Sequence, residues 1–190
     1  MQTSRDKPKL QFPVVVEWRG LFEKAVAFNG LMTLHLRRHA IAYLLLVACY
    51  VIFSANYLIG WNETPSLPFK VFIIHKNDPV KKGDYVAFIW HGGHPFPAGS
   101  IFAKRVVGGE GDSIERSGRS FTVNGQLFVA KDYGQTGKAL FPNPLPEGAS
   151  TVPPDSYWVA GTHEYSFDSR YSQVGFIKRE DVVGRAYPLF

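Results

Sequence analysis

The chain has 190 residues, of which 45% are hydrophobic and 19% are charged, with a mean hydropathy of -0.09 and a net charge of +5. This length provides one modest domain and a short additional segment, and it excludes an enzyme with two full hydrophobic cores. The single cysteine, Cys49, excludes internal disulfides, a Cys-x-x-Cys redox motif and a thiolate zinc site.

Residues 1–39 form a basic amino-terminal segment. They contain seven Lys or Arg against three acidic residues, a net charge of +4, whereas the residues beyond 60 carry 14 basic and 13 acidic side chains. Residues 10–34 have a moderately amphipathic pattern that Pro13 and Gly30 interrupt. This pattern is compatible with a short membrane-surface helix and equally with a loosely ordered tail.

Residues 40–59 contain no charged side chain and predict a transmembrane helix, assigned to residues 40–60. Twenty residues at about 1.5 Å each span about 30 Å, the thickness of a bilayer hydrocarbon core. The run is longer than a signal-peptide core, so we expect a retained anchor in the lipid bilayer, with Tyr57 and Trp61 at its outer interface. Arg37 and Arg38 precede it, so the positive-inside rule predicts a cytoplasmic amino terminus.

This topology accounts for the basic segment without a nucleic-acid partner, and we predict none. The expected organisation is a cytoplasmic segment (1–39), a membrane helix (40–60) and a domain on the outer side of the membrane (61–190).

Beyond the membrane segment the sequence predicts β-structure. Short runs rich in Val, Ile, Phe and Tyr alternate with turn residues at positions 70–75, 85–90, 101–107, 113–116, 120–123, 156–160 and 182–187. Asn124-Gly125 predicts a two-residue hairpin. Residues 131–154 are turn-rich and aperiodic, which predicts a long loop or a small flap.

Ser66 lies in a rigid segment directly after the membrane span. Pro65 and Pro68 flank it, and proline restricts both its own backbone and that of the preceding residue. Rigid presentation suits a nucleophile, although an ordinary linker after a membrane helix has the same composition.

Lys104 lies in a predicted strand on the same face as Phe102 and Val106. Burial on an apolar face would lower the lysine pKa toward the range of a general base. The alternative is that Lys104 extends to solvent or pairs with an acid.

Two further groups of side chains are candidates for a structural or chemical role. Asp168 and Arg170 are two residues apart in a predicted extended segment, which favours an ion pair that orders a loop. His91 and His94 provide two imidazoles without an evident third ligand, so we predict neither a zinc site nor a cofactor.

Taken together and in order, these segments resemble the signal peptidase I family, membrane-bound peptidases with a Ser/Lys dyad. The motifs are Ser66-Leu67-Pro68 behind the helix, the run of residues 104–112 (KRVVGGEGD), and residues 161–175 with Ser166, Asp168 and Arg170. The resemblance implies a mainly β fold, in which one transmembrane helix precedes a compact coiled β-sheet or barrel catalytic domain.

The resemblance also implies roles for single residues. Ser66 would be the nucleophile and Lys104 the general base, and the Ser66 N–H and the Thr64 hydroxyl would bind the oxyanion. Ser166 would hydrogen-bond to Lys104. Asp168 and Arg170 would hold the adjacent loop.

The sequence departs from the family pattern at several positions. Gly161-Thr162-His163 replaces the usual Gly-Asp-Asn, and Leu67 replaces the methionine of housekeeping enzymes. The short interval from Lys104 to Tyr165 excludes the large accessory β domain of some members.

The form of the nucleophile motif, Asn-x-Thr-x-Ser-Leu-Pro at residues 62–68, resembles the conjugative-transfer branch of TraF-type pilin peptidases. The expected partner is therefore a precursor polypeptide, most specifically a conjugative pilin, together with subunits of the conjugation machinery. Two alternatives stay open: a general signal peptidase I, and a non-enzymatic single-pass subunit of an envelope assembly.

Overall fold

The computed structural model describes residues 18–92, 96–135 and 137–190. This part of the chain forms one helix, α1 (Trp18–Asn56), followed by strands and a short 3-10 turn at Arg179–Asp181. The strands are β1 (Tyr57–Trp61), β2 (Val71–Lys76), β3 (Tyr85–Ile89), β4 (Ile101–Gly108), β5 (Ser113–Ser117), β6 (Ser120–Val123), β7 (Gln126–Val129), β8 (Gly148–Thr151), β9 (Ser156–Ala160), β10 (Ile177–Lys178) and β11 (Val182–Pro188). The mainly β fold is thus confirmed.

Helix α1 has the length and composition of a membrane helix. Its 39 residues extend over about 58 Å, and it contains an 18-residue window of mean hydropathy 1.7. Within the described residues it is the one helix that is long and apolar enough to cross a membrane, and none of its side chains is buried against protein.

Helix α1 begins well before the predicted membrane span of residues 40–60 and ends four residues before its predicted end. The helix continues through Gly30, because one glycine costs a helix only about 1 kcal/mol and the flanking residues favour helix. It ends at Asn56 rather than at residue 60, because residues 57–61 pair along their whole length with β2. Residues 10–17 of the predicted amphipathic segment lie outside the described residues.

The chain divides near residue 51 into two compact units, and the second, Ile52–Phe190, contains every strand. This unit has a seven-stranded sheet in the order β1-β2-β11-β3-β4-β9-β10 and a four-stranded sheet in the order β7-β6-β5-β8. All neighbouring strands are antiparallel. Strand β4 therefore lies in the interior of the larger sheet, between β3 and β9.

The smaller sheet contains the predicted hairpin and one strand that the sequence did not predict. Asn124 and Gly125 both have positive φ, 48° and 78°, and connect β6 to β7 as expected. Strand β8 lies within the predicted loop at residues 131–154, so that interpretation is wrong for residues 148–151. Its Gly-Ala-Ser-Thr sequence has no apolar alternation, and backbone pairing with β5 forms the strand.

Three apolar clusters stabilise the second unit. The largest joins both sheets and is centred on Trp158, Phe121 and Ile114, which are completely buried. A second lies around Phe88 and Val159 on the larger sheet. The third contains Leu67, next to the predicted nucleophile, together with side chains of β2, β3 and β11.

Candidate active site

The predicted nucleophile lies in the turn between β1 and β2. Ser66 is 4% exposed, and the neighbouring Leu67, also 4% exposed, packs into the third apolar cluster with Phe72 and Ile74. Burial of Leu67 therefore anchors the turn, while the prolines on either side limit its conformations. The rigid presentation predicted for Ser66 rests on this apolar anchor as well as on the prolines.

Lys104 reaches the same point from the interior of the larger sheet. It is 5% exposed, pairs in register with Val86 of β3, and its Nζ donates a 2.7 Å hydrogen bond to Ser66 Oγ. The lysine does not extend to solvent, because the β4 register directs its side chain to the buried face with Phe102, whose ring centroid is 5.8 Å from Nζ. The sheet thus brings together two residues that are 38 positions apart.

Burial lowers the pKa of Lys104 from 10.5 to about 8, because the interior disfavours the ammonium form. The Asp168 carboxylate opposes this shift, and the Arg170 guanidinium adds to it. At pH 7 about one lysine in ten is then neutral, whereas at the ordinary pKa the fraction would be below about one in a thousand. A buried amine with this pKa can accept a proton from a serine hydroxyl at neutral pH.

Thr64 lies beside Ser66. Its hydroxyl oxygen is 3.0 Å from Ser66 Oγ and donates a hydrogen bond of 3.3 Å to Asn62 Oδ1. A donor at this position is close to the point where a carbonyl oxygen would acquire charge during attack by Ser66.

Asp168 and Arg170 form the predicted ion pair, and it is buried. Arg170 Nε donates to Asp168 Oδ1 at 2.8 Å and Nη2 donates to Oδ2 at 3.0 Å, so the contact is bidentate. Asp168 is 0% exposed and Arg170 5% exposed. The second carboxylate oxygen also accepts the N–H of Gly161 at 2.9 Å, which connects the pair to the end of β9.

The segment after Gly161 holds the backbone of the nucleophile. The N–H groups of Thr162 and His163 donate to the Ser66 carbonyl at 2.9 and 3.4 Å. A Cβ at Gly161 would lie 2.5 Å from that carbonyl and 2.2 Å from Ser166 Oγ, so only glycine fits there. The ion pair therefore positions Ser66 through residues 161–163, a connection that sequence reasoning missed. The replacement of Asp-Asn by Thr-His does not disturb it, because the contacts use backbone N–H groups.

The predicted hydrogen bond from Ser166 to Lys104 is wrong. Ser166 is 2% exposed, and within the described residues its hydroxyl has no hydrogen-bond partner. The side chain instead faces Gly161, because the turn at residues 163–166 places its Cβ against that glycine.

A cavity of about 1040 Å³ opens onto the dyad. Its wall next to Lys104 is aromatic, since Trp90 stacks on Phe102 at 5.3 Å between ring centroids and Phe96 meets Phe102 edge-on at 5.0 Å. The edge strand β1 contributes Leu58 and Trp61. The cavity is large enough for several residues of an extended, mainly apolar polypeptide.

The described residues 18–92, 96–135 and 137–190 include no group of three His, Cys, Asp or Glu side chains that could hold a metal ion. His91 lies 2.8 Å from Asp181, and its predicted neighbour His94 lies outside the described residues.

Known proteins share this sequence pattern. The family model described as signal peptidase, peptidase S26, matches residues 32–190. Signal peptidase I of Leptolyngbya laminosa is 30% identical over 151 residues, which cover 72% of this chain and 68% of that protein. A probable signal peptidase I-2 of Synechocystis sp. is 34% identical over 90 residues, which cover 47% of this chain and 38% of that protein. The crystal structure of a signal peptidase I from Enterococcus faecalis V583 is 26% identical with a TM-score of 0.35, and covers 57% of this chain and 97% of that one.

Proposed function

Because this chain belongs to the signal peptidase family, peptidase S26, whose members are serine endopeptidases, we propose that Ser66 is its nucleophile and Lys104 its general base. The observation that carries this proposal is the buried 2.7 Å contact between Lys104 Nζ and Ser66 Oγ. A separation above about 5 Å would favour the non-enzymatic docking subunit over the dyad.

The reaction proceeds by acyl transfer. Neutral Lys104 accepts the Ser66 hydroxyl proton as Oγ attacks the scissile carbonyl, and the Ser66 N–H and the Thr64 hydroxyl stabilise the oxyanion. The resulting ammonium gives this proton to the leaving amine. Lys104, neutral again, then activates a water molecule that hydrolyses the acyl-enzyme and restores Ser66.

Asp168 and Arg170 serve as positioning residues in this scheme. Their ion pair fixes residues 161–163, which in turn hold the Ser66 carbonyl, so the residue that carries both the hydroxyl and the oxyanion-binding N–H keeps its position. Ser166 provides space rather than a hydrogen bond, because its small side chain allows the close approach of Gly161.

We further propose that α1 anchors the enzyme in the bacterial inner membrane, with its amino terminus in the cytoplasm and residues 61–190 in the periplasm. The charge difference across the apolar stretch supports this orientation, since +4 lies before residue 40 and +1 beyond residue 60. Ser66 follows the last residue of α1 by ten positions, so at about 3.5 Å each it lies within about 35 Å of the helix end. Cleavage sites near the outer membrane face are within its reach.

The proposed substrate is a leader-bearing precursor, more specifically a conjugative pilin. The enzyme would have subunits of the conjugation machinery as further partners. The Asn-x-Thr-x-Ser-Leu-Pro form of the nucleophile motif supports the pilin. The two relatives, a signal peptidase I of Leptolyngbya laminosa and a probable signal peptidase I-2 of Synechocystis sp., favour the second candidate, a general signal peptidase I.

The decisive test uses the full chain in detergent and two purified precursors, a pilin precursor and a secretory precursor with an Ala-x-Ala cleavage site. Ser66→Ala and Lys104→Ala should each lower the cleavage rate at least about 10³-fold. Wild-type rates in both variants, or cleavage of neither precursor by the wild type, would overturn the proposal.

The same two precursors separate the substrate candidates. A dedicated pilin peptidase cleaves the pilin alone and fails to complement a strain depleted of its housekeeping signal peptidase. A general enzyme cleaves the Ala-x-Ala precursor and complements that strain.

A further inference from the structure

Asn62 lies four residues before the nucleophile and connects the two ends of its turn. Its Nδ2 donates hydrogen bonds to the carbonyls of Phe69 at 2.9 Å and Leu67 at 3.3 Å, and its backbone N–H donates to the Lys70 carbonyl at 2.8 Å. One side chain therefore ties the residue at the end of β1 to the segment that leads into β2. Asn62 is not part of the dyad or of the proposed oxyanion site.

These contacts fix the orientation of the Asn62 amide. If the amide were reversed, its oxygen would face two carbonyl oxygens, and neither could donate. The NH₂ group must therefore point toward Leu67 and Phe69. Oδ1 is left facing Thr64, whose hydroxyl oxygen is 3.3 Å away.

The Thr64 hydroxyl has one proton and two acceptors within reach, Asn62 Oδ1 at 3.3 Å and Ser66 Oγ at 3.0 Å. A proton donated to Ser66 Oγ would occupy one of the two lone pairs on the oxygen that must attack the substrate and would make that oxygen less nucleophilic. A proton donated to Asn62 leaves that lone pair free. Because the 3.3 Å hydrogen bond to Asn62 is long and weak, the Thr64 hydroxyl can turn from Asn62 to a charged oxyanion that forms nearby.

We propose that Asn62 is a positioning residue, whose amide fixes the nucleophile turn and whose Oδ1 holds the Thr64 hydroxyl proton away from Ser66 Oγ until the oxyanion forms. This inference rests on the proposed function, because Thr64 has an oxyanion to bind only if Ser66 is the nucleophile. In the Asn-x-Thr-x-Ser motif, the asparagine would therefore act on the reaction by positioning the hydroxyl of the threonine.

The test is a double-mutant cycle in the full chain, with whichever of the two precursors the wild type cleaves. Thr64→Val removes the hydroxyl and should lower kcat about 10²-fold. Asn62→Ala should lower kcat about tenfold, with KM within about twofold of wild type, because it displaces a donor used only in the transition state. The kcat of the double variant should be at most about threefold below that of Thr64→Val, since Asn62 acts through the missing hydroxyl.

Two further variants distinguish positioning from loss of structure. In a Thr64→Ser background, which keeps the hydroxyl, Asn62→Ala should again lower kcat about tenfold. Asn124→Gly is the matched control, because the Asn124 amide also donates two hydrogen bonds, yet its turn does not line the cavity and glycine keeps its positive φ. It should lower the unfolding midpoint without changing kcat.

Multiplicative effects, with the double variant about 10³-fold below wild type, would overturn the inference and assign Asn62 a purely structural role. A change confined to KM would overturn it as well. If Asn62→Ala does not fold, Asn62→Leu keeps the approximate size and removes the acceptor, and fully multiplicative effects with Thr64→Val again contradict it. Retained cleavage by Ser66→Ala overturns the proposed function itself, whatever the Asn62 variants do.

Discussion

The two sheets of unit 52–190 both bury apolar side chains but differ in the polar side chains that they bury. The seven-stranded sheet and its loops bury Ser66, Lys104, Asp168 and Arg170, all at 5% exposure or less. The four-stranded sheet packs apolar side chains such as Phe121 into the joint core; of the two charged residues in its strands, Glu115 is exposed on the other face and Arg116 lies over the Phe121 ring. Burying a polar group costs free energy unless it is paired. The comparison indicates that one sheet carries the proposed dyad at a cost in stability, while the other mainly contributes apolar burial.

Lys104→Met should produce the largest effect and separates chemistry from stability. We expect cleavage to fall at least about 10³-fold, because the variant has no proton acceptor. Wild type carries a buried ammonium below pH 8, and between about pH 8 and 10.5 its unfolded state binds more protons than its folded state. The unfolding free energy of wild type should therefore rise across that range.

The methionine variant lacks this dependence, so its advantage in stability should be greatest at pH 7, up to an order of 3 kcal/mol, and should shrink toward pH 10.5. Denaturant unfolding of both chains in detergent at several pH values measures the difference. Lys178→Met, which removes an exposed lysine, is the control. A wild-type stability that does not change from pH 8 to 10.5 would contradict the lowered pKa.

Asp168→Asn tests whether the polar cluster positions the nucleophile. Loss of one partner from a buried ion pair leaves Arg170 uncompensated and should cost about 3–5 kcal/mol of unfolding free energy. We also expect kcat of the folded fraction to fall, because residues 161–163 then lose their fixed position. The matched control is Asp155→Asn, whose ion pair with Arg179 is exposed and should contribute no more than about 1 kcal/mol. Equal losses in both variants would contradict the role of burial.

Phe121→Ala tests whether the four-stranded sheet contributes stability without affecting catalysis. Phe121 is completely buried and lies 5.3 Å from Trp158 between ring centroids, so truncation should cost about 3 kcal/mol or somewhat more. The kcat of the folded fraction should stay within about threefold of wild type, since this side chain lies outside the cavity. Leu127→Ala, on an exposed side chain, should change stability by less than about 0.5 kcal/mol. A large loss of kcat in Phe121→Ala would show that the second sheet also positions the site.

The smallest effect is the dependence of cleavage on pH. With a lysine pKa of about 8, kcat/KM should rise about tenfold from pH 6 to 7, and then level off above about pH 8 to 9. Initial rates from pH 6 to 10 on a precursor that the wild type cleaves measure this profile. A rate that is flat from pH 6 to 9 would exclude Lys104 as the base.

Local sequence patterns predicted a large part of the fold. Seven predicted runs correspond to strands, and Asn124-Gly125 forms the hairpin turn that its positive φ angles require. Strand β8 escaped prediction because its residues have no apolar alternation and it forms by pairing with β5. The end of α1 was misplaced because residues 57–59 are as apolar as the helix, and pairing with β2 makes them a strand.

The residue types at the site and their order can be read from the amino-acid sequence: a proline-flanked serine behind an apolar helix, a lysine among apolar strand residues, and an Asp-x-Arg segment. The fold brought them together. It turned Lys104 toward Ser66, connected the Asp168–Arg170 pair to the nucleophile through backbone N–H groups, left Ser166 without its predicted hydrogen bond, and placed Asn62 against Thr64. The reason is physical, because side-chain pattern reports which face of a strand is buried, whereas distances between residues far apart in sequence depend on strand order and register.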